Sequence, residues 1–360
     1  MRTTLMIVGL LCGASASAAT IQVGLPGAGG CNIRNAINAA NNNTNVGTCV
    51  RSGAATEPDT INLPAAAFGT PLLSDPPYND EDANVNGDLD ITSAIVMQGV
   101  STQRTHLAAP DADRLFDVRV GGALTLRDMT IYGGTVAASD TPFGGAIRKL
   151  SGGSLTLQRV MVRGGVAARG GAIHGVMQIG TMSLRDVTVR DAFASAFGGG
   201  IALESGGASA LTELLNVTIS GNAAPLASGL YAAFTPFRMR SSTVAFNRST
   251  SSPGSGVSYN GGLPAQSVEI VNSILSDNSN SDGTYTDLSC STGIQLALRS
   301  HSIIGSVTNC TFATTTATPP ATQPRLLPLF DHGGGIPVHA FDNGSAADNT
   351  GLNGGALGCV

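Results

Sequence analysis

Aliphatic residues recur at fixed offsets along most of this chain. In eight segments apolar and polar positions alternate, the alternation breaks at one residue, and it then resumes; the segments begin at Leu89, Leu124, Leu155, Met182, Thr212, Phe237, Val268 and Leu296. The residues at the break are Ser93, Asp128, Arg159, Asp186, Asn216, Ser241, Asn272 and Ser300. Alternation with period two over so few residues predicts short β-strands on both sides of a bend.

The spacing of the segments predicts the fold class. Successive break residues lie 25 to 35 positions apart, and a second element recurs between segments as "GGAI", "GGAI", "GGGI" and "SGLY", starting at Gly144, Gly170, Gly198 and Ser228. Repeats of this length with two or three short strands predict an all-β, single-stranded right-handed parallel β-helix. A β-propeller blade needs a longer repeat, and a β-sandwich does not keep inward columns in register over eight copies.

Two polar features fit the same fold. Asn222, Asn247 and Asn278 occupy one offset in consecutive segments, which predicts a ladder of stacked asparagine side chains at a corner. In "CNIRNAINAANNN" the residues Ile33, Ala36, Ile37 and Ala40 have helical spacing, which predicts a short N-terminal capping helix. The late segment "LLPLFDHGGGIPVHAF" is predicted to fold back as a lower cap.

The N-terminus has the pattern of an export signal. A basic Arg2 precedes the apolar stretch "LMIVGLLC", and small residues follow up to Ala19. The predicted organisation is a signal peptide at 1–19, an N-terminal cap at 20–58, coils at 59–312, and a linker with C-terminal cap at 313–360. The protein is therefore expected to be secreted or at the cell surface, with the periplasm as the alternative.

The cysteines, the charge and the length of the apolar stretches bear on the compartment and on the partners of the protein. Short-range pairing favours two disulfides, Cys31 with Cys49 and Cys290 with Cys310, and leaves Cys359 unassigned. Charged residues make up only 12% of the 360 residues and the net charge is −5, which argues against a nucleic-acid partner. No stretch after the signal is apolar over the length of a membrane span.

Several phrases resemble a known group of proteins. They are "CNIRNAI" with "AAN" near Cys31, "DTINLP" at Asp59, "GDLDIT" at Gly87, "DRLFDV" at Asp113 and "LPLFDHGGGIPVHAF" near the C-terminus. Together they resemble exported bacterial right-handed parallel β-helix proteins of the CSLREA and choice-of-anchor Q type, in the pectin-lyase-like superfamily. The resemblance runs from about Cys31 to Gly358. It implies the fold, and it implies no particular activity.

Arginines concentrate on the middle coils. Between Leu124 and Asp191 there are eight basic and four acidic residues. Those predicted to point outward at shared offsets are Arg127, Arg159, Arg163, Arg185 and Arg190. Because guanidinium groups match carboxylates and sulfates, these five form a candidate polyanion-binding face for an acidic polysaccharide or cell-surface glycan. The alternative is a solvated face of ion pairs.

The stretch "DANVNGDLD" has the spacing of a calcium loop. Oxygen-bearing side chains occupy alternate positions at Asp82, Asn84, Asn86, Asp88 and Asp90, and Gly87 stands at the turn. Ser93 replaces the usual bidentate glutamate, and no helices flank the loop. Calcium and a purely structural turn both remain open.

Enzymatic signals are sparse, so catalytic residues stay unassigned. The Gly-His-Gly pattern of polygalacturonases is absent, and the five histidines are scattered. Asp128 and Asp186 share an offset but lie two coils apart, roughly 10 Å; this is near the upper end of the range of roughly 5 to 9.5 Å for paired glycosidase carboxylates, so the pair stays open. The predicted function is a surface or extracellular interaction protein that binds acidic polysaccharide; the alternative is a polysaccharide lyase or glycoside hydrolase acting on an acidic glycan.

Overall fold

A computed structural model of the chain describes residues 18–53, 58–68, 82–109, 112–136, 142–204, 212–252, 254–261, 266–316, 324–345 and 347. Its elements in chain order are β1 (Thr20–Gln22), α1 (Ile33–Asn41), β2 (Asp59–Asn62), β3 (Ala67–Phe68), β4 (Leu89–Ile91), β5 (Ala94–Gln98), β6 (His106–Ala108), β7 (Phe116–Val118), β8 (Ala123–Thr135), β9 (Ile147–Lys149), β10 (Ser154–Arg169), β11 (Ile173–Val176), β12 (Met182–Arg190), β13 (Phe193–Phe197), β14 (Ile201–Glu204), β15 (Thr212–Ser220), β16 (Ala223–Ala224), β17 (Leu230–Ala233), β18 (Phe237–Arg240), β19 (Thr243–Ala245), β20 (Arg248–Ser249), β21 (Val257–Asn260), β22 (Gln266–Val271), β23 (Ile274–Ser276), β24 (Leu288–Ser300), β25 (Ile303–Ile304) and β26 (Val307–Thr316).

The strands stack into a parallel β-helix, as predicted. Sheet A contains the strands before the corner residues, such as β5, β18 and β22, with the first halves of β8, β10, β12 and β15. Sheet B contains the strands after them, including β19, β23 and β25. Sheet C contains β4, β7, β9, β11, β14, β17, β21 and the start of β24. All these pairings are parallel and join consecutive coils.

The predicted inward columns form the core. In sheet A the side chains of Leu126, Leu157, Leu184, Leu214, Met239 and Ile270 are buried, and in sheet B those of Ile131, Val162, Val189, Ile219, Val244 and Leu275. Each column repeats one aliphatic side chain per coil, so a coil can bury its apolar face only against its neighbours. No helix within the described ranges is long and apolar enough to cross a membrane.

Left-handed backbone at the corners explains why the alternation breaks. Asp128, Arg159, Asp186 and Asn216 all have φ between 52° and 56°, a region that turns the chain between sheets A and B and is enriched in Asn and Asp. In the last copy the left-handed residue is His301, one position after the predicted Ser300.

The register predicted for the first copy was wrong. Strand β5, not the segment starting at Leu89, lies beside β8 in sheet A, where Ile95 pairs with Leu124. Leu89 instead starts β4 of sheet C. Both strands are short and apolar, so periodicity alone did not distinguish which column each one joins.

Helix α1 covers the start of the stack, as expected. Asn32 is its N-cap, and the side-chain oxygen accepts a hydrogen bond from Asn35 N at 2.7 Å. Ile33, Ala36 and Ile37 are buried, which matches the predicted apolar face. The disulfide Cys31–Cys49 joins the residues beside it, and Cys290–Cys310 joins the last coils. The predicted signal peptide lies almost entirely, and Cys359 entirely, outside the described residues.

The predicted asparagine ladder is present at the corner after sheet B. Asn222 Nδ2 donates to Asn247 Oδ1 at 2.9 Å, and Asn247 Nδ2 donates to Asn278 Oδ1 at 2.9 Å. The ladder ends on an acceptor that the sequence did not indicate, because Asn278 Nδ2 donates to Asp287 Oδ1 at 2.8 Å. The three asparagines are buried, so these bonds replace those that water would make.

The C-terminal segment lies along the side of the stack rather than across its lower end. Residues 326–341 form an antiparallel hairpin, named here the C-terminal hairpin. Its tip accepts a hydrogen bond from Thr102 in an early coil, and Pro337 O accepts one from Thr188 Oγ1 at 2.6 Å. The hairpin covers the outer side of sheet B, where Thr130 and Thr188 are buried although they point away from the core.

Candidate functional site

The five arginines predicted to bind polyanions do not form one uninterrupted basic face. Arg159 donates two hydrogen bonds to Asp128, at 2.6 and 2.7 Å. Arg163 and Arg190 share Asp191, at 3.1 and 2.9 Å. Arg185 lies 3.7 Å from Asp186. Aspartates on the same or a neighbouring coil therefore pair with four of the five arginines.

Three of these side chains still have accessible surface. The side chains of Arg159, Arg163 and Arg185 are 51%, 49% and 57% exposed. Exposed ion pairs of this type exchange partners readily, because each contributes little to stability. Contact between this face and a polyanion therefore stays a prediction. Arg127 lies beside Asp128 at the upper edge of the face.

The predicted calcium loop encloses a guanidinium group. Arg34 projects from α1 into the loop, where Nη1 donates to Asn84 Oδ1 at 3.1 Å and to Asp88 O at 2.9 Å. It also donates to the backbone oxygens of Asn86 and Gly87, at 3.2 and 2.6 Å. The arginine thus occupies one predicted ligand oxygen, that of the Asn84 side chain, together with three backbone oxygens, and it fastens the capping helix to the first coils.

The five predicted calcium ligands are separated into different contacts. Asp88 turns to Arg114, whose Nη1 lies 2.7 Å from its Oδ2. Asp82 and Asp90 instead come within 4.8 Å of Asp117. A calcium site at this position therefore reduces to these three carboxylates, and it stays a prediction.

Arginines already balance part of that carboxylate group. Arg119 contacts both Asp82 and Asp117 at 2.5 Å. Arg148 donates to Asp117 from the next coil, at 2.5 and 3.0 Å. Asp117 is fully buried, so these bonds supply the pairing that a buried carboxylate requires.

Asp128 and Asp186, the possible pair of glycosidase carboxylates, are both hydrogen-bonded to neighbouring side chains. Hydrogen bonds from Arg159 hold the pKa of Asp128 below its ordinary value despite partial burial. Asn216 Nδ2 donates to Asp186 Oδ1 at 2.7 Å. Arg159 stands between the two carboxylates, so the geometry assigns this corner no acid and base pair.

A different surface collects the side chains that suit ligand binding. In sheet C the residues that join the core alternate with residues that point away from it. The outward residues of successive coils are Asp117, Arg148, His174, Ala202, Tyr231, Ser258 and Ser289. Beside this row a second column contains Phe143, Arg169, Phe197 and Leu226. The surface formed by these two columns, from Phe143 to Ser289, is called the groove below.

Arg169 lies between two aromatic rings in the groove. Its guanidinium carbon is 5.0 Å from the ring centre of Phe143 and 4.9 Å from that of Phe197. Cation–π contacts at this distance restrict a flexible arginine. Phe197 in turn packs against Tyr231 with ring centres 4.2 Å apart. The side chain of Arg169 remains 41% exposed, so it is both oriented and accessible.

Glu204 and His174 support Arg169 from below. Glu204 contacts Arg169 Nη1 at 3.2 and 3.3 Å through its two oxygens, and His174 Nε2 at 2.8 Å through Oε2. Burial opposes ionisation of Glu204, but the bonds from His174 and Arg169 hold its pKa below the ordinary value. Burial, opposed by Glu204, lowers the pKa of His174. A neutral His174 then donates from Nε2 to an ionised Glu204.

The groove opens into a cleft at its lower end. The cleft has a volume of about 320 Å³ and its lining includes Tyr231, Ser255, Ser258, Asn260, Ser289, Ser291, Thr308 and Asn309. Ser291 Oγ donates to Asn260 Oδ1 at 2.6 Å, and Ser289 Oγ to Ser255 Oγ at 2.9 Å. Hydroxyl and amide groups both donate and accept hydrogen bonds, so the cleft suits a ligand rich in hydroxyl groups.

Sequence reasoning did not find the groove. Several of its residues stand just before or just after the "GGAI" elements, whose sequence predicts only a structural repeat. The available signal was the position before the first glycine, where Phe143, Arg169 and Phe197 follow one another in consecutive repeats. Reading that column down the repeats would have placed an arginine between two aromatic residues.

Comparison with known proteins adds little to this description. No model of a protein family and no curated protein sequence matches the chain. Among solved structures, the A-module of the Azotobacter vinelandii mannuronan C-5 epimerase matches 71% of this chain and 87% of its own, with 12% identity and a TM-score of 0.33. A likeness at this level carries no inference about family, ligand or activity.

Proposed function

We propose that this protein binds an acidic polysaccharide along the groove of sheet C. The observation that supports the proposal is the position of Arg169. Its accessible guanidinium is held between Phe143 and Phe197, at the head of an open cleft lined by hydroxyl and amide groups. This arrangement combines one fixed cation with many neutral hydrogen-bonding groups, as a chain of uronic acids requires.

Each part of the groove has a chemical counterpart in such a ligand. A guanidinium fork matches a carboxylate, and aromatic faces offer the apolar contact area that sugar rings can cover. Ser258, Ser289 and Asn260 can exchange hydrogen bonds with sugar hydroxyls. Coils repeat about every 4.8 Å, so the groove is long enough for several sugar units.

The proposed setting is the exterior of the cell or its envelope. The two disulfides fit an oxidising compartment, and the N-terminal sequence has the pattern of an export signal. Membership of the CSLREA and choice-of-anchor Q type of β-helix is part of the same proposal and rests on the sequence phrases alone.

The corner arginines provide a second contact surface in this proposal. Arg163 and Arg185 are about half exposed, and they lie on coils that also contribute to the groove. Their ion pairs with aspartates weaken at high salt. A long polyanion that wraps the coils would therefore contact them in a salt-sensitive way.

The lyase or hydrolase alternative has less structural support in the groove. Glu204 is ionised and already bonded to His174 and Arg169, so it is a poor proton donor. His174 is only 2% exposed, and a general base must reach the proton that it removes.

Binding and activity can be measured in one experiment. We expect the mature protein to be retarded in gels containing polygalacturonate or alginate but not in gels containing neutral dextran. Arg169→Gln should weaken retention about tenfold or more, since a hydrogen bond to a charged group is lost. Tyr231→Ala should weaken it as well, whereas the exposed Arg104→Gln serves as the matched control.

Three outcomes would contradict the proposal. Equal retention of the parent and the Arg169→Gln and Tyr231→Ala variants would remove the groove from the binding surface. Release of reducing ends, or of unsaturated ends absorbing in the ultraviolet, would establish the enzymatic alternative instead. If only the double variant Arg163→Ser/Arg190→Ser loses binding, the corner arginines are the binding surface.

A further inference from the structure

A separate cavity lies between the coils and the C-terminal hairpin. Its volume is about 310 Å³, and its lining is Arg159, Asp186 and Asn216 from the coil corners with His332, Gly334, Ile336 and Val338 from the hairpin. The four hairpin residues all border this cavity, around the tip and one arm of the hairpin. The cavity opens at the corner between sheets A and B and shares no residue with the groove.

The coil side of the cavity presents an oriented cation. Arg159 donates to Asp128 through Nε at 2.6 Å and through Nη2 at 2.7 Å. These two bonds fix the plane of the guanidinium. No other described residue takes a hydrogen bond from Nη1 of Arg159, so one donor of a rigid fork stays available.

The hairpin side adds a second nitrogen donor. His332 packs edge-on against Phe330, with ring centres 5.5 Å apart. It has no hydrogen-bond partner within the part of the chain that the structure describes. His332 lines the same cavity as Arg159, so both nitrogens of its imidazole are available to a ligand there.

Acceptors and an apolar wall complete the cavity. Asp186 Oδ1 accepts from Asn216 Nδ2 at 2.7 Å, while Asp186 Oδ2 has only the distant Arg185, 3.7 Å away. The carbonyl oxygen of Asn216 is a further acceptor. Ile336 and Val338 supply apolar surface on the hairpin side.

We infer that this cavity binds a small hydroxylated carboxylate, in the form of a single uronic acid or the uronate end of a glycan chain. The carboxylate binds Arg159 Nη1 and His332, and hydroxyl groups donate to Asp186 and Asn216. The sugar ring lies against Ile336 and Val338. The volume is at the lower end of the range for small-molecule sites, which fits one or two sugar units.

Such a ligand joins two parts of the molecule. It contacts coil corners and the hairpin at once, so binding stabilises the docked hairpin by mass action. The melting temperature of the protein should therefore rise with ligand concentration. A neutral sugar of the same size lacks the carboxylate that Arg159 recognises and should have no such effect.

The test titrates the full-length mature protein with sodium galacturonate, and with galactose as the neutral counterpart. We expect galacturonate to raise the melting temperature and to change the NMR signals of the hairpin. Arg159→Gln should weaken this binding about tenfold. Arg248→Gln, at an exposed arginine outside the cavity, should bind as the parent does.

The groove variant Arg169→Gln separates this site from the proposed function, because it should leave monosaccharide binding unchanged. His332→Ala, at an exposed position, is a second variant in case Arg159→Gln perturbs folding. Absence of any response of the parent to galacturonate overturns the inference. So does equal binding by the parent, Arg159→Gln and His332→Ala, or an equal response to galactose.

Discussion

Arg34 shows how a single side chain can change the role of a loop. Its guanidinium donates hydrogen bonds to four oxygens in the segment from Asn84 to Asp88. A guanidinium carries several donors in a fixed plane, so it can satisfy backbone carbonyls that would otherwise need a cation. The loop therefore holds the cap to the coils through its backbone carbonyls and the Asn84 side chain.

The first prediction at this scale concerns calcium. Because arginines already contact loop oxygens and the Asp82 and Asp117 carboxylates, we expect a chelator to leave the melting temperature unchanged. Arg34→Ala should lower it, since buried oxygens lose their donor. A fall in melting temperature with chelator that disappears in Asp82→Ala would establish the calcium site instead.

The second prediction concerns His174. Burial lowers the pKa of His174, whereas the unfolded chain has a histidine pKa of about 6.5. Below pH 6.5 the histidine is protonated in the unfolded chain while His174 in the folded protein is still neutral. The free energy of unfolding therefore falls as pH decreases. The contribution is at most about 1.4 kcal/mol per pH unit for one proton.

Denaturant unfolding at pH 7.5 and pH 5.5 measures this dependence. His174→Gln should reduce it. The pH dependence that remains in His174→Gln includes a contribution from His339, because burial lowers the pKa of His339 as well. Identical pH dependence in the parent and in His174→Gln would show that His174 does not contribute.

At the scale of elements, the corners decide how strands stack. The corner between sheets A and B uses left-handed residues, and the corner after sheet B uses buried side-chain amides. A further ladder accompanies them, in which Ser242 N donates to Ser273 Oγ and Ser273 N donates to Ser302 Oγ, at 3.2 and 3.1 Å. These polar columns fix the register of coils whose aliphatic columns would tolerate sliding.

The prediction for the elements is a test of the asparagine ladder. Asn247 accepts from Asn222 and donates to Asn278, Ile219 and Ala245. Asn247→Ala leaves these buried groups without partners, so it should lower the free energy of unfolding by about 2–5 kcal/mol. Asn260→Ala, at an exposed position, should cost less than about 1 kcal/mol. Equal losses measured in urea would contradict a structural ladder.

At the scale of the whole molecule, the C-terminal hairpin connects distant coils. Its tip contacts Thr102 and Gln103, while His339 contacts Ser220. Contacts within a β-helix otherwise join only neighbouring coils. The hairpin is therefore the part of the described chain that couples early coils directly to later ones.

His339 provides the test of this coupling. Its Nδ1 bonds to Leu327 O at 2.7 Å, and its Nε2 lies 2.9 Å from Ser220 Oγ. We expect His339→Ala to speed hydrogen exchange of the hairpin and of the threonines under it, while the amides of sheet C keep their protection. Phe330→Ala, at an exposed position, is the control. Loss of protection throughout the coils would mean that the hairpin is required for the β-helix itself.

The repeat was sufficient to predict the β-helix, its inward columns and the asparagine ladder, and local spacing was sufficient to predict the capping helix and both disulfides. These features are local or repeat at a constant offset, so one copy predicts the next. The offsets predicted for the first and last copies differ from the structure. In the first coil two short apolar strands could join sheet A, and in the last the corner is shifted by one residue, to His301.

Only the tertiary structure decided which outward side chains meet. Arg169 and Glu204 are 35 residues apart, and Arg159 and His332 lie on segments separated by most of the coils. Arg34 reaches a loop about fifty residues away. The offsets of a repeat fix the columns within the coils, but they do not specify which side chains pair across columns or where a non-repeating hairpin docks. For that reason the groove and the hairpin cavity became visible only when the coils were assembled.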